Sequence, residues 1–162
     1  MSGESIGETN QYLTFTLAGE LFALDIGKTR EVLDFTGATK LPQTPDYMCG
    51  VINLRGSVVP VVDMRLKLGM TKTQKTMNSC VIIVEVEIDG EKVVMGAMAD
   101  TVQEVLNLEP DQIEPPPRIG TKLNTDFIHG MGKHTDQFII ILDIDKIFSD
   151  RELTTEGDPI AA

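Results

Sequence analysis

The sequence predicts a mainly β protein made of two short-stranded barrels packed on each other, and three observations lead there. Apolar and polar residues alternate with period two, as in Leu13, Phe15 and Leu17 against Thr14 and Thr16, the pattern of half-buried strands. There are two uncharged runs: Ser57 to Val62 reads as a strand covered on both faces, and Phe138 to Leu142 as a second uncharged strand. Finally, the two halves of the chain repeat. Gly19-Glu20 matches Gly90-Glu91, Glu31-Val32-Leu33 matches Glu104-Val105-Leu106, and Tyr47-Met48-Cys49-Gly50 matches Phe127-Ile128-His129-Gly130. From Gly50 and from Gly130 it is thirteen positions to Asp63 and Asp143 respectively. A duplicated β-rich unit accounts for that spacing.

Taken in order, residues 1–10 are mostly Gly, Ser, Glu and Thr with little to bury, which predicts a disordered tail. Tyr12 to Ile26 forms a hairpin turning at Ala18-Gly19-Glu20, and Lys28 to Phe35 continues in a period that fits strand at least as well as helix. Leu41-Pro42-Gln43-Thr44-Pro45 is a rigid extended connector. Asp46 to Cys49 is expected to make one helical turn ended by Gly50. The stretch Asn53-Leu54-Arg55-Gly56 turns into the first uncharged strand, where burying each valine contributes roughly 1.5 to 3 kcal/mol. Met64 to Gly69 reads as a short helix, and Met70 to Asn78 as a polar loop.

The second half opens with another hairpin, Val81 to Ala99, turning at Asp89-Gly90. Thr101 to Leu106 is a further strand or turn, Pro115-Pro116-Pro117 a polyproline spacer, and Asn124 to His129 a capped helical turn closed by Gly130. Asp145 to Phe148 reads as a last short helix. One domain is expected over 11–150, its halves about 11–69 and 79–148, followed by an acidic tail at 151–162.

Composition narrows the function. Fourteen Lys and Arg against 25 Asp and Glu give a net charge of −11, a field that repels phosphate backbones and anionic lipid. No apolar run approaches a membrane span, and the N-terminus lacks a signal peptide, so the expectation is a cytoplasmic protein with Cys49 and Cys80 reduced.

Catalytic constellations are thin. His129 and His134 have neither zinc-site spacing nor a cysteine pair beside them, and Gly130-Met131-Gly132 lacks the third glycine of a phosphate-binding loop. Asp63 and Asp143 end equivalent strands, which admits a strand-end aspartate hydrolase, yet neither is followed by the hydroxyl and glycine of such a loop. Capping of the turn is the simpler role. No enzyme, metal or cofactor is therefore expected. What remains is a binding surface. Val81, Val102 and Val105 are candidates to line a cleft between the barrels, suited to the apolar face of a partner helix, with ordinary core as their alternative.

Asn53-Leu54-Arg55-Gly56 followed by Val59-Pro60-Val61-Val62-Asp63-Met64-Arg65 is similar to the NLRG-x-x-x-P-V-x-D-L-R signature of CheW-like domains. Met64 stands where that pattern has leucine, and the similarity runs from about Tyr12 to Phe148. The resemblance implies two intertwined SH3-like five-stranded barrels on a shared hydrophobic core and a non-catalytic adaptor. Such an adaptor joins the cytoplasmic tip of methyl-accepting chemoreceptors to the regulatory domain of the histidine kinase CheA. It further implies a monomer when free, recruited to receptor arrays at the inner face of the membrane. A coupling protein of a different chemosensory pathway, serving motility or development, carries the same domain. On this resemblance Glu31 and Arg55 match positions tied to receptor coupling, and Gly50, Asn53 and Gly56 the turn that shapes them. Thr29 stands where relatives often have an aliphatic residue. Arg55 is expected to pair with Glu31 across the first barrel; burial would make the pair's loss costly, exposure almost neutral.

Overall fold

The computed structural model describes residues 11–72, 74, 76–115 and 127–148. The predicted tails, Pro116-Pro117 and Asn124 to Asp126 lie outside the described residues. Three turns of the form X-Gly, at Ala18-Gly19, Arg55-Gly56 and Asp89-Gly90, place both residues at positive φ, the mirror-image turn geometry that matches strand twist and closes a tight hairpin. They create β1 (Gln11–Leu17) with β2 (Glu20–Asp25), β4 (Met48–Leu54) with β5 (Ser57–Asp63), and β6 (Cys80–Ile88) with β7 (Glu91–Ala99). Thr29–Asp34 is β3 and Thr101–Asn107 is β8, both strands. Short β9 (Ile113–Glu114) precedes the last hairpin, β10 (Ile128–His134) with β11 (Gln137–Leu142). Met64–Lys67 (α1) follows β5 and Ile144–Phe148 (α2) follows β11.

These strands form two sheets, in the orders β8-β1-β2-β11-β10-β9 and β3-β6-β7-β5-β4. Under the sequence repeat β1, β2, β3, β4 and β5 correspond to β6, β7, β8, β10 and β11. The second order then becomes the first, apart from β9. Each half has given its opening hairpin to the other half's sheet. The joins correspond too: β2 with β11 and β5 with β7 are parallel, while every other named strand pair is antiparallel. Strand pairing runs in open order in both sheets, since β3 does not pair β4 and β8 does not pair β9.

The repeat also corrects two expectations. No helical turn is closed by Gly50 or Gly130; both lie inside strands, beside a bulge in which Cys49 or His129 is the extra residue. A Cβ on Gly50 would lie 2.3 Å from the Thr39 carbonyl oxygen, and one on Gly130 2.9 Å from that of Glu114. The glycines therefore serve close backbone approach. The Ser57 to Val62 run, expected to be covered on both faces, is covered only from Val59 onward, because Val58 is 72% exposed.

Both faces of each sheet are used. The inner faces meet in a central cluster holding Phe15, Phe22 and Leu24 from one sheet, Val62, Ile82 and Val84 from the other, and Met64, Ile147 and Phe148 from the helices. Each sheet also curls on a smaller cluster of its own, Tyr12, Ala23, Leu108, Ile139 and Ile141 in one and Val59, Val61, Val81, Ile83 and Met98 in the other. Asp63 and Lys67 are charges within this interior, 2% and 9% exposed. Asp63 caps α1 by accepting the amides of Arg65 and Leu66 at 3.0 and 3.4 Å. The Lys67 ammonium lies 4.5 Å from the centre of the Tyr47 ring and 5.5 Å from that of Phe127.

Candidate functional site

The site grows from the β4–β5 turn. Asn53 Oδ1 accepts the Gly56 amide at 2.8 Å, and Arg55 and Gly56 take φ values of +50° and +91°. Asn or Asp is the low-strain choice at the first of these positions. An arginine there is held in a conformation it seldom adopts, and its side chain projects from the hairpin tip. Opposite, β3 carries a bulge between Thr29 and Glu31 in its pairing with β6, which re-aims the following side chains. Glu31 and Arg55 meet as an ion pair through Oε2 and Nη2, with Arg55 Nη1 also donating to Oε1 at 3.4 Å. The expected pair thus forms, and it is exposed: the Arg55 side chain is 70% accessible and that of Glu31 30%. The guanidinium holds the Glu31 carboxyl below its usual range, and the same hydrogen bond raises Arg55.

The pair stands over a groove of about 500 Å³ lined by Leu54, Val58, Val59, Pro60, Ile83 and Val94. A second hollow of about 490 Å³ lies farther along the same two strands, against Leu33, Phe35, Val51 and Ile52. Both are bordered by residues of β3 and β4, the edge strands of their sheet. Arg30 and Lys92 converge on Glu85 at 2.6 and 4.0 Å, adding charges at the rim. The arrangement offers a strip of aliphatic surface edged by oriented charges, suited to a partner's apolar face with polar flanks.

The remaining candidates separate. Val81 is a core residue, 1% exposed within the cluster of its own sheet. Val102 is half-buried against the central cluster, and Val105 is 45% exposed, both on β8 in the other sheet. Thr29 is half-buried, its hydroxyl 3.4 Å from the Asp25 carbonyl oxygen. Gly50 draws Thr39 onto the β4 edge through paired backbone bonds to Val51 of 2.9 Å each. The structure unites Glu31, Asn53, Arg55 and Gly56 at one rim and leaves Val102 and Val105 on another sheet.

Sequence reasoning passed over Val58, which sits on the groove's lip, and the Arg65–Asp100 contact. Arg65 reaches Asp100 Oδ2 at 3.3 Å and Thr71 at 2.8 and 3.1 Å, while Asp100 Oδ2 accepts the Ala18 amide at 2.8 Å. The signal for Arg65 was its place in the quoted signature. For Val58, no alternation rule distinguishes a covered valine from one at a hairpin's exposed end.

Among the described residues no cluster of three or more His, Cys, Asp and Glu could hold a metal, and no helix is long and apolar enough to cross a membrane. Burial, aided by Asp63, pushes the Cys49 thiol up to about 11, so it is protonated and a poor nucleophile at neutral pH.

Comparison with known proteins agrees on one family. The CheW-like domain model matches residues 11–152. A chemotaxis protein CheW of Klebsiella aerogenes is 35% identical over 153 residues, 94% of this chain and 89% of the relative. A probable chemotaxis protein CheW of Rhizobium etli is 31% identical over 142 residues, 88% of this chain and 89% of the relative. The crystal structure of the scaffolding protein TtCheW from Thermoanaerobacter tengcongensis superposes with a TM-score of 0.76 at 39% identity, covering 85% of this chain and 91% of that one.

Proposed function

This chain belongs to the CheW-like domain family and is a non-catalytic, CheW-type adaptor coupling chemoreceptors to the kinase CheA, and we propose that it does so through the rim at Glu31 and Arg55. The observation that carries this reading is the ion pair at the mouth of the 500 Å³ aliphatic groove. An exposed pair stabilises the fold little. A strained turn that spends an arginine on such a pair is better explained by what the arginine presents than by what it holds together.

In this reading each sheet curls into an SH3-like five-stranded barrel, and the halves at 11–69 and 79–148 make one domain over 11–150. The cytoplasmic tip of a chemoreceptor lies against Glu31, Asn53, Arg55 and Thr29, with Val102 and Val105 extending the surface on the second sheet. Gly50 and Gly56 set the backbone beneath. The regulatory domain of CheA meets a barrel end. The free adaptor is a monomer in the cytoplasm, drawn to receptor arrays at the inner face of the membrane. Each contact is of about micromolar strength, roughly −8 kcal/mol, and multivalency makes the assembly persist.

Arg55→Ala is the test. In a reconstituted mixture of receptor, kinase and adaptor, it should lower receptor-dependent kinase activation about tenfold or more while the urea midpoint stays that of the wild type. Unchanged activation rejects the assignment of Arg55; a lowered midpoint makes its role structural.

A further inference from the structure

We propose that Lys67 is a positioning residue whose ammonium, lodged between the two halves, fixes the angle at which the two sheets meet. Tyr47 leads into β4 of one sheet and Phe127 into β10 of the other, and the two match in the repeat. Their carbonyls play the same role, accepting the Asp63 and Asp143 amides at 2.7 and 2.8 Å. A group that touches both rings therefore sits close to the axis relating the halves. The Lys67 Nζ does so, at 4.5 and 5.5 Å from the ring centres.

The duplication supplies an internal control. Counting from Asp63 and Asp143, the residue that matches Lys67 is Ile147, which is fully buried in the central cluster. An aliphatic side chain therefore satisfies packing at this point of the helix. Taking an ammonium out of water is costly where packing alone would be served by isoleucine. What the cation adds is direction. Apolar contact is non-directional, whereas a cation is drawn to the faces of both rings at once. Lys67 thus ties the orientation of β4 to that of β10. With it goes the orientation of the Glu31–Arg55 rim relative to Val102 and Val105. Only this last consequence rests on the adaptor reading.

Spin labels at Val58→Cys and Phe138→Cys, exposed sites on opposite sheets, report that angle in the partner-free protein once Cys49 and Cys80 are replaced by alanine. The parent should give one narrow distance distribution. Lys67→Ile should broaden or shift it. Adding Ile147→Lys, which places an ammonium at the matching position of the other helix, should restore it; a packing role would not be rescued this way. Lys67→Met serves as a second variant. An unchanged distribution, no recovery in the double variant, or failure of both single variants to fold overturns the proposal. Without labels, Lys67→Ile should bind receptor and kinase fragments separately like the wild type yet activate about fivefold less or worse. A wild type that fails to activate would sink the adaptor reading and leave the distance result standing.

Discussion

The β4–β5 and β10–β11 hairpins occupy matching places, each joined by a parallel pair to the hairpin given by the other half. They share a bulge, a glycine pressed on a neighbouring carbonyl, and an aspartate that starts a short helix. They part at the tip. Where the first has Arg55-Gly56, the second has Thr135-Asp136, with Thr135 at a φ of +55°. Glu31 has Arg55 as its partner; Glu104, its match in the repeat, has no ion pair among the described residues. What the halves keep in common belongs to the backbone, where a change would break the fold. What distinguishes them is side chains at the rim, where a change alters what is presented. Structure is duplicated, and the proposed function is not.

Substitution of the shared glycines puts the greatest strain on this comparison. Gly50 has a φ of +140° and its added Cβ meets backbone, so Gly50→Ala combines overpacking with a conformation L-residues avoid. About 2 to 5 kcal/mol of destabilisation is expected in urea melts. Gly130 lacks the positive φ, and the nearest atom to its added Cβ is the Ile113 side chain at 2.7 Å, so Gly130→Ala should cost about 1 to 3 kcal/mol. Equal losses would mean that the two glycines do not differ as described. The aspartates come next. Asp63 accepts two amides and is 2% exposed, whereas Asp143 accepts the Lys146 amide at 3.2 Å and is half-buried. Asp63→Ala should cost about 1 to 2 kcal/mol and Asp143→Ala about half of that. The reverse order in a thermal melt would undo the capping assignment.

The β1–β2 and β6–β7 hairpins were legible in the sequence because an X-Gly turn between alternating segments has one good geometry, whereas β4 and β10 were missed as strands, and the Glu31–Arg55 pair was legible through the quoted signature. Gly50 and Gly130 misled because glycine serves equally to end a helix and to admit a close backbone in a strand. Period-two alternation shows that Val81 and Val105 lie on strands, yet it cannot tell which face a second sheet will cover. Exchange of the opening hairpins was equally hidden. Strand partners drawn from opposite halves are selected by tertiary packing, and no local pattern in β1 or β6 names its neighbour. Lys67 escaped notice because its two aromatic neighbours are 20 and 60 positions away in the chain.

The smallest expected effect concerns two polar clasps that do the same work with opposite charge. Arg65 of α1 and Asp145 of α2 occupy matching positions in the repeat. Arg65 bonds Asp100, at the joint between sheets, and Asp100 accepts the Ala18 amide at the tip of the donated hairpin. Asp145 accepts from Lys28, at the other joint, at 2.6 Å and from the Glu87 amide at 3.1 Å. The hydrogen bond to Asp145 raises the Lys28 pKa above the ordinary lysine value of 10.5. A raised value means that the stabilisation is full below 10.5 and fades as the pH climbs through the folded-state value. The guanidinium as a group keeps its charge over the range in which an ammonium loses it. Lys28→Met should therefore lower the urea midpoint slightly at about pH 8, and the gap to wild type should close in alkali as the wild-type ammonium is lost. Asp100→Ala should show a gap that persists over the same range. If both gaps closed together, or neither did, the Lys28 ammonium would not be what distinguishes the second clasp from the first.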